Sequence, residues 1–155
     1  MPAFEVSIAI ESATSPEVIR LIQELDHYLT ALYPAESNHL LSISALNDPA
    51  VTLLVARYDG KAVGCGALLR TAPGFGEVKR MYVDPNRRGL GLGKKLLAAI
   101  EETARQAGIH TLQLETGIHQ PEAIGLYIKN GYREIEPFRE YQPDPLSRFF
   151  ERKLG

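Results

Sequence analysis

The run Met81-Tyr82-Val83-Asp84-Pro85-Asn86-Arg87-Arg88-Gly89-Leu90-Gly91-Leu92-Gly93-Lys94-Lys95 constrains the fold more than any other part of this 155-residue chain. An apolar strand end passes through a basic turn, with glycine at alternate positions, into an amphipathic helix. Glycine has no Cβ, so the backbone there can take φ > 0 and come close to a ligand. Successive N–H groups can then point at one anion. The helix that starts in the turn adds the positive end of its dipole, and Arg87, Arg88, Lys94 and Lys95 add full charges. The stretch reads as a phosphate cradle between a strand and a helix. A tight connection with solvated arginines is the bland alternative.

Composition limits what such a cradle can serve. With 45% hydrophobic and 23% charged residues, the chain has the makeup of one ordinary globular domain spanning 1–155. A net charge of -2 gives no global field for nucleic acid, so the basic turn is a local feature. No stretch approaches the 18 apolar residues of a membrane span, and residues 1–5 lack a basic region followed by an apolar core. Neither nucleic acid nor membrane is expected as a partner, and the expected location is cytoplasmic. Cys65 lies in the apolar run Ala62–Leu69 and reads as a buried small hydrophobe, with a catalytic thiol as the alternative. His27, His39, His110 and His119 have no ligand spacing, and no metal is expected.

The pattern along the chain alternates strands and helices. Phe4 to Ile10 reads as a first strand. Ser15-Pro16-Glu17 offers an N-cap followed by proline at the first helical position, opening a helix with the stripe Val18, Ile22, Leu25, Leu29 and Leu32. That stripe reads as core. From Pro34 to Pro49 the chain is less regular, with helical character, and its polar cluster Glu36-Ser37-Asn38-His39 is placed to line a cleft. Val51–Arg57 and Lys61–Arg70 flank Tyr58-Asp59-Gly60, a strong hairpin signal. In the next strand, Glu77 to Val83, alternation from Val78 calls for apolar residues at 80 and 82, yet Arg80 is charged and the apolar set resumes at Met81 and Val83. A slip of one residue predicts a β-bulge; the alternative is an exposed Lys79-Arg80 pair with no change of register. Leu92, Leu96, Ile100 and Ala104 form the face of the helix after the glycine turn, with Glu101, Glu102 and Arg105 mostly opposite. Thr111–Thr116 completes a βαβ unit. Pro121 opens a short helix carrying Ala123, Ile124, Leu126 and Tyr127, and Asn130-Gly131 stops it. Tyr132–Phe138 and Phe149–Leu154 read as a closing pair of strands. The expected fold is therefore a mixed α+β domain, with a mostly antiparallel sheet splayed at the bulge, flanking helices and one βαβ unit.

Spacing separates the known glycine-rich cradles. The nucleoside-triphosphate loop needs G-x-x-x-x-G-K followed by Ser or Thr, but Gly89 and Gly93 are one residue too close and Lys95 follows Lys94. The dinucleotide fingerprint G-x-G-x-x-G is missed because Gly89-Leu90-Gly91-Leu92-Gly93 is G-x-G-x-G. What fits is R-x-x-G-x-G, in Arg88-Gly89-Leu90-Gly91-Leu92-Gly93 directly after a strand ending in Val83-Asp84-Pro85. With the later segment Ala123-x-x-Leu126-Tyr127-x-x-x-Gly131-Tyr132 in matching order and spacing, the chain resembles the GNAT superfamily of N-acetyltransferases over roughly residues 50 to 136. One departure is Gln120, where many members have asparagine.

The resemblance implies acetyl-coenzyme A as donor substrate. It implies that the backbone of Met81, Tyr82 and Val83 pairs with the pantetheine arm. Loop amides from Arg88 through Gly89, Leu90, Gly91, Leu92, Gly93 and Lys94 would hold the pyrophosphate, and Gln120 is a further cofactor contact. The bulge would splay its strand from the one ending at Glu115 and open a slot for the donor. The reaction would be direct attack of an amine on the thioester. A lysine-like amine costs about 4.6 kcal/mol to deprotonate at pH 7 and an α-amine about 1.4 kcal/mol, so a base is more necessary for the former. Glu77 is the candidate base, directly or through water, with Glu115 in reserve; an exposed strand carboxylate is the alternative for Glu77. Tyr127 occupies the family's acid position, suited to protonating the leaving thiolate. The family binds its acceptors through the first helical region and the closing strands, which makes Tyr33, Glu36, Ser37, Asn38, His39, Glu115, Arg139 and Tyr141 the residues to follow. Their mixture of carboxylate, amide and imidazole suits a small polar amine. A protein lysine or N-terminus as acceptor, or a non-catalytic acyl-coenzyme A sensor, are the competing readings. A monomer or homodimer is expected, with Phe149-Phe150 as a candidate edge.

Overall fold

A computed structural model describes residues 5–37, 42–87 and 89–155. Asn38, His39 and Arg88 therefore lie outside the described residues, as does Phe4. Among the described residues seven strands form one sheet: β1 Val6–Ile10, β2 Val51–Tyr58, β3 Lys61–Ala72, β4 Phe75–Val83, β5 Thr111–Gly117, β6 Arg133–Ile135 and β7 Ser147–Lys153. Their spatial order is β1-β2-β3-β4-β5-β7-β6. The sheet is flanked, among the described residues, by the α-helices α1 Pro16–Leu32, α2 Leu92–Gln106 and α3 Pro121–Lys129. Between Pro34 and Pro49 the described residues include two 3-10 turns, Ala35–Ser37 and Ala45–Asn47, which agrees with the irregular, helical character of the sequence there.

The helix starts follow from their capping chemistry. The Ser15 hydroxyl accepts the Val18 N–H at 3.2 Å, and Pro16 supplies a preset φ where no N–H is needed. Pro121 plays the same part in α3. At α2 the N-cap is Gly91 with φ 69°, and it has no side chain to spend on the first-turn amides.

Helix α1 covers one face of the sheet through Val18, Leu21 and Ile22 on Leu53, Val55, Cys65 and Ala67. On the other face, Leu96, Leu97 and Ile100 of α2 pack with Leu54, Ala56, Val78, Leu112 and Leu114. Strand β2 thus feeds both cores from alternate positions, which accounts for its unbroken apolar run. Glu101, expected opposite the apolar face of α2, is buried instead; its carboxylate pairs with Arg152 at 2.8 Å and accepts from the Tyr132 hydroxyl at 2.9 Å. A charge of that kind is tolerated inside only because both partners arrive from the closing strands.

The closing strands depart from expectation in extent and position. β6 spans only Arg133–Ile135, because Pro137 has no N–H for a ladder and the chain then turns at Arg139, whose φ is 53°. β7 inserts between β5 and β6, pairing antiparallel with both. Phe149 and Phe150 are consequently buried and offer no free edge.

Strands β4 and β5 pair in parallel through only Phe75–Thr111, Gly76–Leu112 and Glu77–Gln113. Beyond Glu77 they diverge. The cause is the bulge foreseen at Arg80: on β3 the partners advance from Cys65 to Ala67, while on β4 they advance from Tyr82 to Lys79, one residue more. Arg80 has φ 59°, a conformation that costs a non-glycine residue about 1–3 kcal/mol. Side-chain parity inverts across it. Val78 packs on the α2 side, whereas beyond the bulge Met81 and Val83 join that side and Tyr82 joins the α1 side. Arg80 itself is buried, so the exposed Lys79-Arg80 pair does not occur.

Candidate active site

Among the described residues three cavities adjoin one another along β4, the middle one lying between β4 and β5. The outermost on one side, about 400 Å³, is a groove bounded by Met81, Tyr82 and Val83 of β4, by Gly89, Gly91, Gly93 and Lys94 of the glycine turn, and by Leu126 of α3. It meets a small chamber of about 90 Å³ at Leu25, Met81, Gln120, Ala123 and Tyr127, residues that line both. The chamber extends past Tyr33, Glu115 and Leu29 to Glu77 and Lys79, which it shares with a third cavity of about 620 Å³ bounded by Glu36, Arg139 and Tyr141. Leu25 and Leu29 of the α1 stripe, expected purely as core, are thus walls of the site. Packing alone explains the first half of that helix and not the second.

The glycine turn has the features of an anion site. Gly89 and Gly91 take φ 87° and 69°, and a Cβ at either would point into open space. The first intrahelical bond after the turn is from Lys95 N–H to Gly91 C=O, and among the described residues none of the amides from Gly89 to Lys94 donates to another group. Such a row of unspent donors at a helix N-terminus suits a diphosphate. The Leu90 side chain is exposed. The Arg87 guanidinium lies over the Tyr58 ring at 5.2 Å, held beside the groove. These residues therefore fit the diphosphate and pantetheine of coenzyme A.

At the join of groove and chamber stands Tyr127, 5% exposed, on α3. Its ring packs edge-on against Tyr132, and among the described residues its hydroxyl has no hydrogen-bond partner. Burial, helped by the Glu115 charge, pushes its phenol well above the ordinary value, so it keeps its proton as a donor. Gln120 also borders both spaces. Its side-chain oxygen accepts from the Tyr33 hydroxyl and from Gly117 N–H, each at 3.3 Å, so the amide acts as an acceptor inside the fold. Tyr33 accepts from His119 N–H at 3.0 Å and stacks on the His119 ring. A Cβ at Gly117 would overlap the Tyr33 hydroxyl, so a larger residue there would displace that ring.

Glu77 is buried, not an exposed strand carboxylate. Its Oε2 accepts from the Tyr141 hydroxyl at 2.6 Å and lies 3.3 Å from Lys79 Nζ, which in turn donates to Tyr141 at 2.8 Å. Burial and the Glu77 charge together raise the Tyr141 phenol, which stays protonated. Glu115 accepts from Ser147 at 2.7 Å on the opposite wall, and Ser37 donates to Asp144 at 2.7 Å, tying the segment after α1 to the loop before β7. The structure thus brings together Tyr127, Glu77, Glu115, Tyr33 and Gln120, with Glu36 at the outer cavity. Lys79 went unforeseen as a partner of Glu77, although residues two apart on a strand share a face. Cys65 is fully buried, its thiol pushed up to about 12 by burial, and no part of the site.

A parallel-antiparallel sheet opened at a bulge, with a free-amide turn at one end of the gap and a buried tyrosine at its middle, defines a coenzyme A thioester-dependent acyltransferase. The sequence model of the Acetyltransferase (GNAT) family matches residues 18–132. The chain is 52% identical over 150 residues to the IAA acetyltransferase of Azospirillum brasilense, covering 96% of this chain and 98% of that protein. A Klebsiella pneumoniae structure assigned to the acyl-CoA N-acyltransferases is 46% identical, with a TM-score of 0.82 and coverage of 97% of this chain and 98% of that one. The PaiA N-acetyltransferase of Thermoplasma acidophilum, crystallised with coenzyme A, shares the fold at a TM-score of 0.77 and 20% identity, covering 96% of this chain and 99% of that one. The chain belongs to the GNAT acetyltransferase family and is an acyltransferase with acetyl-coenzyme A as donor. Among the described residues no helix is long and apolar enough to cross a membrane.

Proposed function

We propose that this protein transfers the acetyl group of acetyl-coenzyme A to the amine of a small molecule. The observation that carries this reading is the small size of the chamber at Tyr127: about 90 Å³, lined by Tyr33, Leu29 and Gln120, which suits the amine end of a small molecule. The larger cavity beyond Glu77 admits the rest of a small acceptor. The high identity and near-complete coverage of a relative named for a small-molecule acceptor support the same class.

The thioester supplies an activated acyl carbon when the donor is bound. The amides of Gly89 to Lys94 hold its diphosphate, and Met81, Tyr82 and Val83, which border the groove, lie along the pantetheine arm. Glu77 takes the proton of the incoming ammonium, directly or through one water. Tyr127 donates its phenolic proton to the departing thiolate, which would otherwise leave as an anion of a thiol with pKa about 8.5. Glu115, fixed by Ser147, borders the acceptor side.

An acceptor screen by thiol release tests the reading. Small amines should release coenzyme A with saturation, while lysine-bearing peptides and protein N-termini should not. Turnover confined to the peptides would replace the small-amine assignment, and coenzyme A binding without turnover on either panel would point to a sensor.

A further inference from the structure

We propose that Asp26 and Arg80 are positioning residues for the donor: their ion pair holds the β4 bulge in its open form and pins α1 beside it, thereby setting Met81 and Leu25 at the join of groove and chamber. The inference rests on the donor groove assigned above, and independently of the acceptor.

Three elements converge on Arg80. Its guanidinium, with the side chain only 2% exposed, pairs with the Asp26 carboxylate of α1. Its carbonyl accepts from the Cys65 thiol of β3 at 3.3 Å. Its own backbone sits at φ 59° in the interior of a strand, where an L side chain is disfavoured. Asp59 and Arg139, the other non-glycine residues with positive φ among those described, belong to a hairpin turn and a loop. Glycine would take this conformation freely, so retention of arginine requires that the side chain return more than the backbone loses.

The placement of the partners shows what is returned. Asp26 directly follows Leu25, which borders both groove and chamber, and Leu29 and Tyr33 continue the same helix along the chamber wall. Met81 directly follows Arg80 and borders both spaces from the opposite side. One ion pair therefore fixes the two residues between which the reacting end of the donor must pass. Removing that carboxylate leaves a buried guanidinium less well compensated and loosens the bulge that carries it.

The test compares Arg80→Ala, Arg80→Gly and Asp26→Asn, using coenzyme A itself as probe and its Kd from calorimetry as the primary readout. Asp26 is partly exposed, with its side chain 35% accessible, so the isosteric amide leaves a folded protein. Arg80→Ala keeps the strained backbone without its anchor and should weaken coenzyme A about tenfold or more, the equivalent of the αL penalty. Arg80→Gly removes the strain but still lacks the pin, so it should recover only part of that loss, while Asp26→Asn should weaken binding severalfold with unchanged circular dichroism. Equal Kd values for Arg80→Ala and Arg80→Gly would overturn the strain argument. Wild-type Kd in folded Asp26→Asn would overturn the pin. Because the readout is binding of the bare thiol, failure to find an amine acceptor would leave this result standing.

Discussion

At the residue scale, Tyr127 combines a buried ring with a hydroxyl that has no hydrogen-bond partner among the described residues, at the join of groove and chamber. Tyr127→Phe should lower kcat by about 10² or more while leaving coenzyme A affinity unchanged, because a general acid acts only as the thiolate forms. Since burial raises its phenol, the wild-type rate should show no alkaline fall from this group below about pH 10. Stopped assays across pH with both proteins check this, and an unchanged kcat would remove Tyr127 from the chemistry. Tyr127 and Glu77 were legible as residue types at meaningful places. Their surroundings were not: Lys79 meets Tyr141 across 62 positions and Arg80 meets Asp26 across 54, and no local spacing encodes a pairing of that range.

Among the elements, the glycine turn makes the sharpest demand. Gly91→Val would place a β-branched side chain at φ 69°, at the residue that caps α2. The expected result is a rise in KM for acetyl-coenzyme A of about tenfold or more, with a smaller change in kcat, read from initial rates. At the other end of the sheet, Arg57 of β2 clasps Glu11 through Nε at 2.9 Å and Glu17 of α1 through Nη1 at 2.6 Å. The Arg57 hydrogen bond holds the Glu11 carboxyl below its usual range. Stability from Glu11 is therefore fully present above the unfolded value of about 4.3 and is lost as pH falls through the lowered folded value. Glu11→Gln should melt lower than wild type at pH 7 by an amount that vanishes at the acid end, measured by thermal scans from pH 7 to pH 3. Helix starts and the hairpin were readable because Ser15, Pro16, Pro121 and Asp59-Gly60 act locally. The brevity of β6 and the burial of Glu101 depend on partners elsewhere in the chain, Arg152 and Tyr132 among them, and left no local trace.

For the molecule as a whole, donor binding and folding are linked, since the unfolded chain has neither groove nor turn. Coenzyme A at a hundred times its Kd should stabilise by about 2.7 kcal/mol and raise the melting temperature by roughly 5–10 °C, read by calorimetry. The bulge and the βαβ unit could be inferred from Arg80 and from the element order, but the insertion of β7 between β5 and β6 could not. Strand order in a sheet is decided by packing of the whole. The seam between β4 and β5, three residue pairs long, has a mechanical meaning. It makes the sheet two leaves bound at one end of a spine, free to breathe along the rest. A pantetheine arm lying between them acts as a temporary eighth ribbon, so amide exchange on the facing edges should slow when the donor enters and quicken when the product departs.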